Sequence, residues 1–321
     1  MFNDKQTITA DPTDANFVYA VWDRLVFPSS ERASVISGFV TAAFRGPAWF
    51  ARSTDGGATW EPARQIYDPG QNDQTIGNQI VVLPDGTLVN VFNEIRNDNR
   101  ERRKGSNVVL MRSTDRGVSW SQPIFVDRLG TIEIEDPDTG DAVRTGDIIP
   151  DVAVNPANGA LYVVWQDARF SGGQFDSIAF SQSLDGGLTW SEPIKVNLTP
   201  GGEPPGDQQA FTPSVHVSTD GTIAVTYYDF RSNTPSPQTL PTDYFLVHCH
   251  PTTPASCADQ ANWGDELRIT DSPFDMRLAP FALGFFTGDY EGLSNIGNMF
   301  TPFFSQPHGT DPSSTFFASV G

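Results

Sequence analysis

Four short stretches set an acidic side chain close to an arginine: Trp22-Asp-Arg24, Asn93-Glu-Ile-Arg96, Trp165-Gln-Asp-Ala-Arg169 and Tyr228-Asp-Phe-Arg231. Carboxyl groups can give and take protons, and guanidinium groups hold an anionic oxygen pair through a planar fork of N–H donors. A second set adds Asp4 and Lys5, Asn78 and Gln79, Asp147 and Asp151, Asp207 and Gln208, and Asp289-Tyr-Glu291. These residues also have a structural use, because acids and arginines at equivalent places can pair between neighbouring repeats and tie them together. A substrate site normally breaks repeat symmetry, so residues unique to one repeat, Tyr290 and Glu291 first, are the better candidates for chemistry.

The elements that must position these groups are announced by another pattern. Ser53-Thr-Asp-Gly-Gly-Ala-Thr-Trp60, Ser113-Thr-Asp-Arg-Gly-Val-Ser-Trp120 and Ser183-Leu-Asp-Gly-Gly-Leu-Thr-Trp190 share Ser-x-Asp-x-Gly-x-Thr/Ser-Trp. Their spacing of roughly 60 and 70 residues marks one supersecondary unit used repeatedly. The pattern reads as a tight hairpin turn: Ser and Asp accept backbone N–H groups, Gly57, Gly117 and Gly187 supply a positive φ, and the Trp packs beneath the turn.

With this turn placed between third and fourth strands, each repeat parses into four strands. Repeat one has strands at 6–10, 17–22, 48–52 and 63–67, and repeat two at 79–83, 87–92, 107–111 and 124–126. Repeat three has them at 151–154, 161–165, 177–180 and 194–196. Repeat four has 214–217, 223–228, 244–247 and 267–269, and lacks the turn. In its place stand Cys249 and Cys257, followed by Trp263, and a Cys249–Cys257 disulfide is expected to replace the hydrogen-bonded turn. Two free thiols, or a His-Cys-His metal site at 248–250, are the alternatives. Repeat five has strands at 285–293, 298–304 and 315–319 and no fourth strand. The expected fold class is all-β: a propeller of four-stranded antiparallel blades, about five in this chain. It is a single domain over 1–321, with blades at about 1–70, 71–130, 145–200, 207–272 and an incomplete 280–321.

Composition agrees with such a chain, with 28 Gly, 25 Pro and 12% aromatic residues and no sustained helical period. The formal charge of −19 excludes general nucleic-acid binding. Neither a signal-peptide pattern nor an apolar run able to span a bilayer is present, so no membrane partner is expected, and the chain reads as soluble. An extracellular or periplasmic origin would require a leader that is absent here. The incomplete last blade leaves an unpaired edge, which favours a homo-oligomer.

The repeated turn resembles the Asp-box, or bacterial neuraminidase repeat, of the sialidase-like β-propellers, and the repeat parse extends that resemblance over nearly all of the chain. Against the family's six blades, this chain looks like a member lacking its amino-terminal portion, or a compact variant. The resemblance implies a glycoside hydrolase acting on a polar or acidic glycan and needing no cofactor. It implies a substrate clamp from Arg24, Arg96, Arg169 and Arg231, with Asp167, Asp229 and Asp289 beside it. It further implies a nucleophile in Tyr290 or Tyr228, its partner in Glu291 or Glu94, and a proton donor in Asp4 or Asp23. The family's Phe-Arg-Ile-Pro motif is not present. The long segment 24–47 would lie over the same mouth as a lid or association surface, and the charged run 96–104 could attract an anionic substrate.

Two other readings compete. Asp4, Asp147 and Asp289 could hold a divalent cation that polarises an ester or phosphoester. Alternatively, the propeller could bind a carbohydrate or a protein without cleaving anything.

Overall fold

Runs of Val, Ile, Tyr, Phe and Trp bounded by Gly, Pro, Asn and Asp clusters make short strands. The computed structural model describes residues 1–26, 45–97, 104–236 and 238–321. Among these, regular structure is strand throughout apart from five single-turn 3-10 helices. The expected lid at 24–47 and the charged run at 96–104 fall mostly outside the described residues.

Contacts divide the chain into two compact units. One holds Met1–Leu129 with Pro156–Ala160 and Asp185–Thr189, and the other holds Gly130–Asn155, Leu161–Leu184 and Trp190–Gly321.

The first unit contains two sheets, each of four antiparallel strands in sequence order. The first is β1 (Phe2–Ala10), β2 (Val18–Leu25), β3 (Ala48–Ser53) and β4 (Arg64–Tyr67). The second is β5 (Gln74–Val82), β6 (Leu88–Arg96), β7 (Gly105–Ser113) and β8 (Ile124–Arg128). They share a core of Tyr19, Val21, Phe50, Ile80, Val82 and Leu88.

The second unit opens with β9 (Ile134–Glu135) and β10 (Ala142–Arg144), a small hairpin that the repeat parse did not anticipate. The third sheet follows as β11 (Asp151–Val154), β12 (Leu161–Asp167), β13 (Ser177–Ser183) and β14 (Ile194–Lys195). The fourth is β15 (Ala210–Val217), β16 (Ile223–Asp229), β17 (Pro241–Cys249) and β18 (Trp263–Arg268), with β19 (Phe274–Asp275) pairing β17. After β20 (Phe285–Phe286), the fifth sheet has three strands: β21 (Gly292–Ile296), β22 (Met299–His308) and β23 (Asp311–Phe317).

The last repeat departs from its expected parse. Phe285 and Phe286 leave the fifth sheet and pair in parallel with Val143 and Arg144 of β10, so the first strand begins only at Gly292. The chain turns between the two through Gly288, whose φ of 150° lies outside the range that side chains favour.

The repeated turns are built from their own polar side chains. Ser53 and Ser113 accept the backbone N–H of Gly57 and Gly117 at 2.8 Å. Asp55, Asp115 and Asp185 accept from the N–H of Thr59, Ser119 and Thr189 at 2.8–2.9 Å. Gly57, Gly117 and Gly187 have φ of 93°, 82° and 92°. The hydroxyls of Thr59 and Ser119 hold the Asp55 and Asp115 carboxyls down at about 2.

Trp120 packs against the core of its own sheet and also reaches the sheet before it. Trp120 meets Phe50 of the preceding sheet edge-on at 5.5 Å, Trp263 meets Phe180 of the preceding sheet at 4.8 Å, and Trp60 is 41% exposed. The turn thus serves packing between sheets, and Trp263 keeps that contact in the fourth sheet although the polar turn is gone. There Cys249 and Cys257 form a disulfide with Cα atoms 5.9 Å apart, and Trp263 Nε1 donates to the Cys257 carbonyl at 2.9 Å.

Candidate active site

The residues that bear on chemistry sit at strand ends, and what meets each of them decides its use. Glu94, Asp167 and Asp229 are met by an arginine two residues further along: Arg96 at 2.8 Å, Arg169 at 2.8 Å and Arg231 at 2.6 Å. Arg231 also holds Glu266 and lies 3.6 Å over the Phe245 ring. The acid–arginine signature therefore forms short-range pairs: Glu94 and Arg96 share a side of one strand, while Asp167 and Asp229 end theirs and also accept the backbone N–H of Arg169 and Arg231 at 2.9 and 3.2 Å. In the first sheet Asp23 and Arg24 are adjacent and so diverge. Arg24 stacks 3.6 Å over Trp49 and donates to Asn3, while Asp23 is fully buried.

Asp23 accepts from Thr75 Oγ1 at 2.7 Å, the Gly77 N–H at 2.9 Å and Asn78 Nδ2 at 2.5 Å. Burial, with Asp4 adding repulsion, pushes it up to about 7. It holds the bulge in β5 from inside the core and has no exposed surface for a proton-donor role. Asp4 is partly exposed and accepts its neighbour's N–H, from Lys5 at 3.0 Å.

The tyrosine candidates separate. Tyr290 is 62% exposed, and the Glu291 carboxyl is engaged by Tyr228, whose hydroxyl donates to it at 2.9 Å. The Tyr228 hydroxyl also lies 2.7 Å from the Ser305 carbonyl, and the residue is fully buried. Burial and the Glu291 charge push the Tyr228 phenol well above its ordinary range, the reverse of an activated nucleophile, while burial lifts Glu291 to about 8. In the first unit Tyr67 donates to Glu94, and burial raises that phenol too.

Asp289 is held by a two-pronged Arg144 pair at 2.9 and 3.1 Å. The metal trio Asp4, Asp147 and Asp289 is therefore corrected: among the described residues no group of three or more His, Cys, Asp or Glu side chains could hold a metal ion. The physical reason lies in these contacts, since Asp289 is already neutralised by Arg144.

A different pair of carboxyls comes together in the second unit. Asp147, between β10 and β11, and Asp176, just before β13, both approach the hydroxyl of Thr131, at 3.3 and 2.6 Å. Asp176 is fully buried and accepts further from the Ile132 N–H at 3.1 Å and Gln166 Nε2 at 3.2 Å. Asp147 is partly exposed.

The backbone that presents Asp147 is tightly specified. Gly146 has a φ of 62°, and a Cβ there would fall 2.2 Å from the Asp289 carbonyl, so only glycine fits. Thr145 offers its carbonyl to Thr212 Oγ1 at 3.0 Å. Thr212 itself has a φ of 49°, an uncommon conformation for a β-branched residue, and its N–H is held by Gln166 Oε1 at 3.0 Å. The bulge in β15 thus fixes both Thr145 and the orientation of the Gln166 amide.

Burial is the main force on this pair. It pushes Asp147 up to about 6, with Glu133 adding repulsion, and Asp176 up to about 7, with Asp147 adding repulsion. Ile132, whose N–H Asp176 accepts, also lines a cavity of about 520 Å³, with Glu133, Glu135, Gln174 and Gln209 in its wall. Gln209 ties that wall together by bonding both the N–H and the carbonyl of Glu135, at 3.1 and 2.7 Å. Asp136, also in the wall, is buried against Arg277.

Sequence reasoning placed Asp147 among the first-strand acids, gave it a role only as a metal ligand, and missed Thr131, Glu133 and Asp176. The available signal was Asp176 itself, an acid abutting the apolar run 177–180.

No family model matches the chain. Among solved structures it is similar to a protein of unknown function from Dyadobacter fermentans, at 16% identity and TM-score 0.55, over 99% of this chain and 78% of that one. It is similar to the alpha-L-arabinofuranosidase of Fusarium graminearum at 14% identity and TM-score 0.52, over 98% and 80%. It is also similar to the alpha-L-arabinanase of Penicillium chrysogenum at 17% identity and TM-score 0.50, over 94% and 77%. The likeness is one of fold. Together with the four-stranded antiparallel sheets, it sets the chain beside propeller glycosidases in architecture. No helix among the described residues is long and apolar enough to cross a membrane.

Proposed function

We propose that this chain is a glycoside hydrolase on an Asp-box propeller of the sialidase-like kind, with Asp147 as the proton donor. The observation that carries the reading is a partly exposed carboxyl that shares the Thr131 hydroxyl with a second, buried carboxyl, and that burial pushes up to about 6. Glu133, on the cavity wall and close enough to repel Asp147, is the candidate for the second carboxylate that glycoside hydrolysis requires.

The substrate is a neutral glycan. Glu133 and Glu135 on the cavity wall would repel an anionic sugar, and Arg96, Arg169 and Arg231 are each bound to a carboxylate of their own sheet. Two of the similar structures carry arabinobiose, which makes arabinose-containing glycans the first to try. The Cys249–Cys257 disulfide supports an oxidising compartment.

The test is hydrolysis by the purified protein of arabinobiose, aryl α-L-arabinofuranosides, a panel of other neutral aryl glycosides and aryl sialosides. Turnover of a neutral member, falling as pH rises past about 6 because the acid form of Asp147 is lost, is the expected result. Folded protein that cleaves none of them would overturn the reading and leave a binding propeller.

A further inference from the structure

We infer that the Thr131 hydroxyl is a relay through which Asp147 and Asp176 hold one proton between them, so that Thr131 and Asp176 are positioning residues for the acid. The inference rests on the reading of Asp147 as proton donor, but its physical content can be tested without turnover.

A hydroxyl has one hydrogen to give and lone pairs to accept with. Thr131 Oγ1 lies 2.6 Å from Asp176 Oδ2 and 3.3 Å from Asp147 Oδ2, so it can donate to only one carboxylate at a time. With both acids ionised, the second oxygen would face a lone pair. With one proton on Asp147 the chain closes: Asp147 donates to Thr131, and Thr131 donates to Asp176. The reverse chain is equally complete. Moving between them breaks the Asp147 O–H bond as a Thr131 O–H bond forms, and breaks Thr131's original O–H bond as an Asp176 O–H bond forms. Two protons shift by one bond each and net charge is unchanged.

The surroundings keep this exchange local. Gln166 cannot turn its carbonyl toward Asp176, because that oxygen is accepting the Thr212 N–H. The Ile132 N–H remains a donor to Asp176 in either state. The charged groups nearby are Glu133, which repels Asp147, and the Arg144–Asp289 pair, which adjoins across Gly146 and is neutral as a pair. Burial raises both acids into the neutral range, where one proton for two sites is the favoured load. Whenever the shared proton rests on buried Asp176, the exchange returns it to Asp147, the partly exposed member of the pair.

The experiment is carboxyl ¹³C NMR of aspartate-labelled full chain from pH 4 to 9, assigned through D147N and D176N. In the wild type each of the two resonances should show both titration steps. In Thr131→Val through-space repulsion still leaves a minor second step, but each resonance should follow mainly its own step, with midpoints about one pH unit further apart, and Thr131→Ser should restore the wild-type curves. Asp176→Asn should lower the Asp147 midpoint by about one pH unit, since a like charge is removed. Thr131→Val curves that match the wild type would overturn the relay, as would an Asp147 midpoint unmoved in Asp176→Asn. Should Thr131→Val fail to fold, the Ser and Asn variants decide. Hydrolysis with the NMR signature absent sinks the relay alone, whereas the signature without hydrolysis sinks only the enzymatic reading.

Discussion

Glu94, Asp167 and Asp229 have an arginine two residues further on, whereas Asp147 and Asp176 are met by hydroxyl, amide and backbone N–H groups. The first kind recurs in three sheets, and the second is shared by Asp23 of the first sheet, which is fully buried, whereas Asp147 is partly exposed. A paired carboxylate has its charge balanced on the spot, and removing either partner strands the other in a poorly solvated place. A carboxyl met only by neutral donors keeps a proton affinity near neutrality and can exchange that proton. The arginine-paired acids thus hold sheets in shape, and among the acids met by neutral donors exposure separates Asp147, which can react, from Asp23, which cannot.

The comparison can be broken in several ways. The largest effect is expected for Asp147→Asn, which should lower kcat on the best neutral aryl glycoside by roughly 10²–10⁴-fold with little change in urea stability. A similar loss from an arginine-paired acid with its fold intact would erase the distinction. Next comes Arg231→Met, which leaves Asp229 and Glu266 without their cation and should cost about 3 kcal/mol in equilibrium urea unfolding at pH 7. A loss below about 1 kcal/mol would show that the pairs are decoration.

The disulfide sharpens a related contrast, between turns held by hydrogen bonds and the one held covalently. Cys249→Ser with Cys257→Ser opens a loop with a sequence separation of 8 and should lower stability by about 2 kcal/mol, read by thermal and urea unfolding of the double variant. A further test concerns Glu291. Its folded value of about 8 lies above its ordinary 4.5, so the native state retains a proton that the unfolded chain has already lost. That contribution is complete below about pH 4.5 and fades as pH rises to about 8. Glu291→Gln should flatten this decline by up to about 1.4 kcal/mol per pH unit. An unchanged stability–pH curve would place Glu291 in the balanced class.

Much of the fold could be read along the chain because its causes are local. The Ser-x-Asp-x-Gly turns bond to their own backbone, the strand runs between them carry their own propensity, and Cys249 and Cys257 are close enough in sequence to need no distant partner. The fifth repeat was misread because Phe285 and Phe286 find a partner in Val143 and Arg144, which no local pattern announces. The same holds for the tryptophans, whose partner rings belong to the preceding sheet.

The site lay further out of reach. Thr131, Asp147 and Asp176 come from three separate stretches, and Gln166 and Thr212 from two more. Composition could say that acids were plentiful, and repeat logic could place them at strand ends. The acids that meet an arginine two residues on are written in the chain, whereas which acids meet a hydroxyl from a distant stretch depends on packing, and only burial then shifts a proton's affinity by whole pH units. Sequence alone determined the repeating unit and its turns. The tertiary structure decided which carboxyls are left to exchange a proton, because desolvation and through-space repulsion act over distances that chain order does not record.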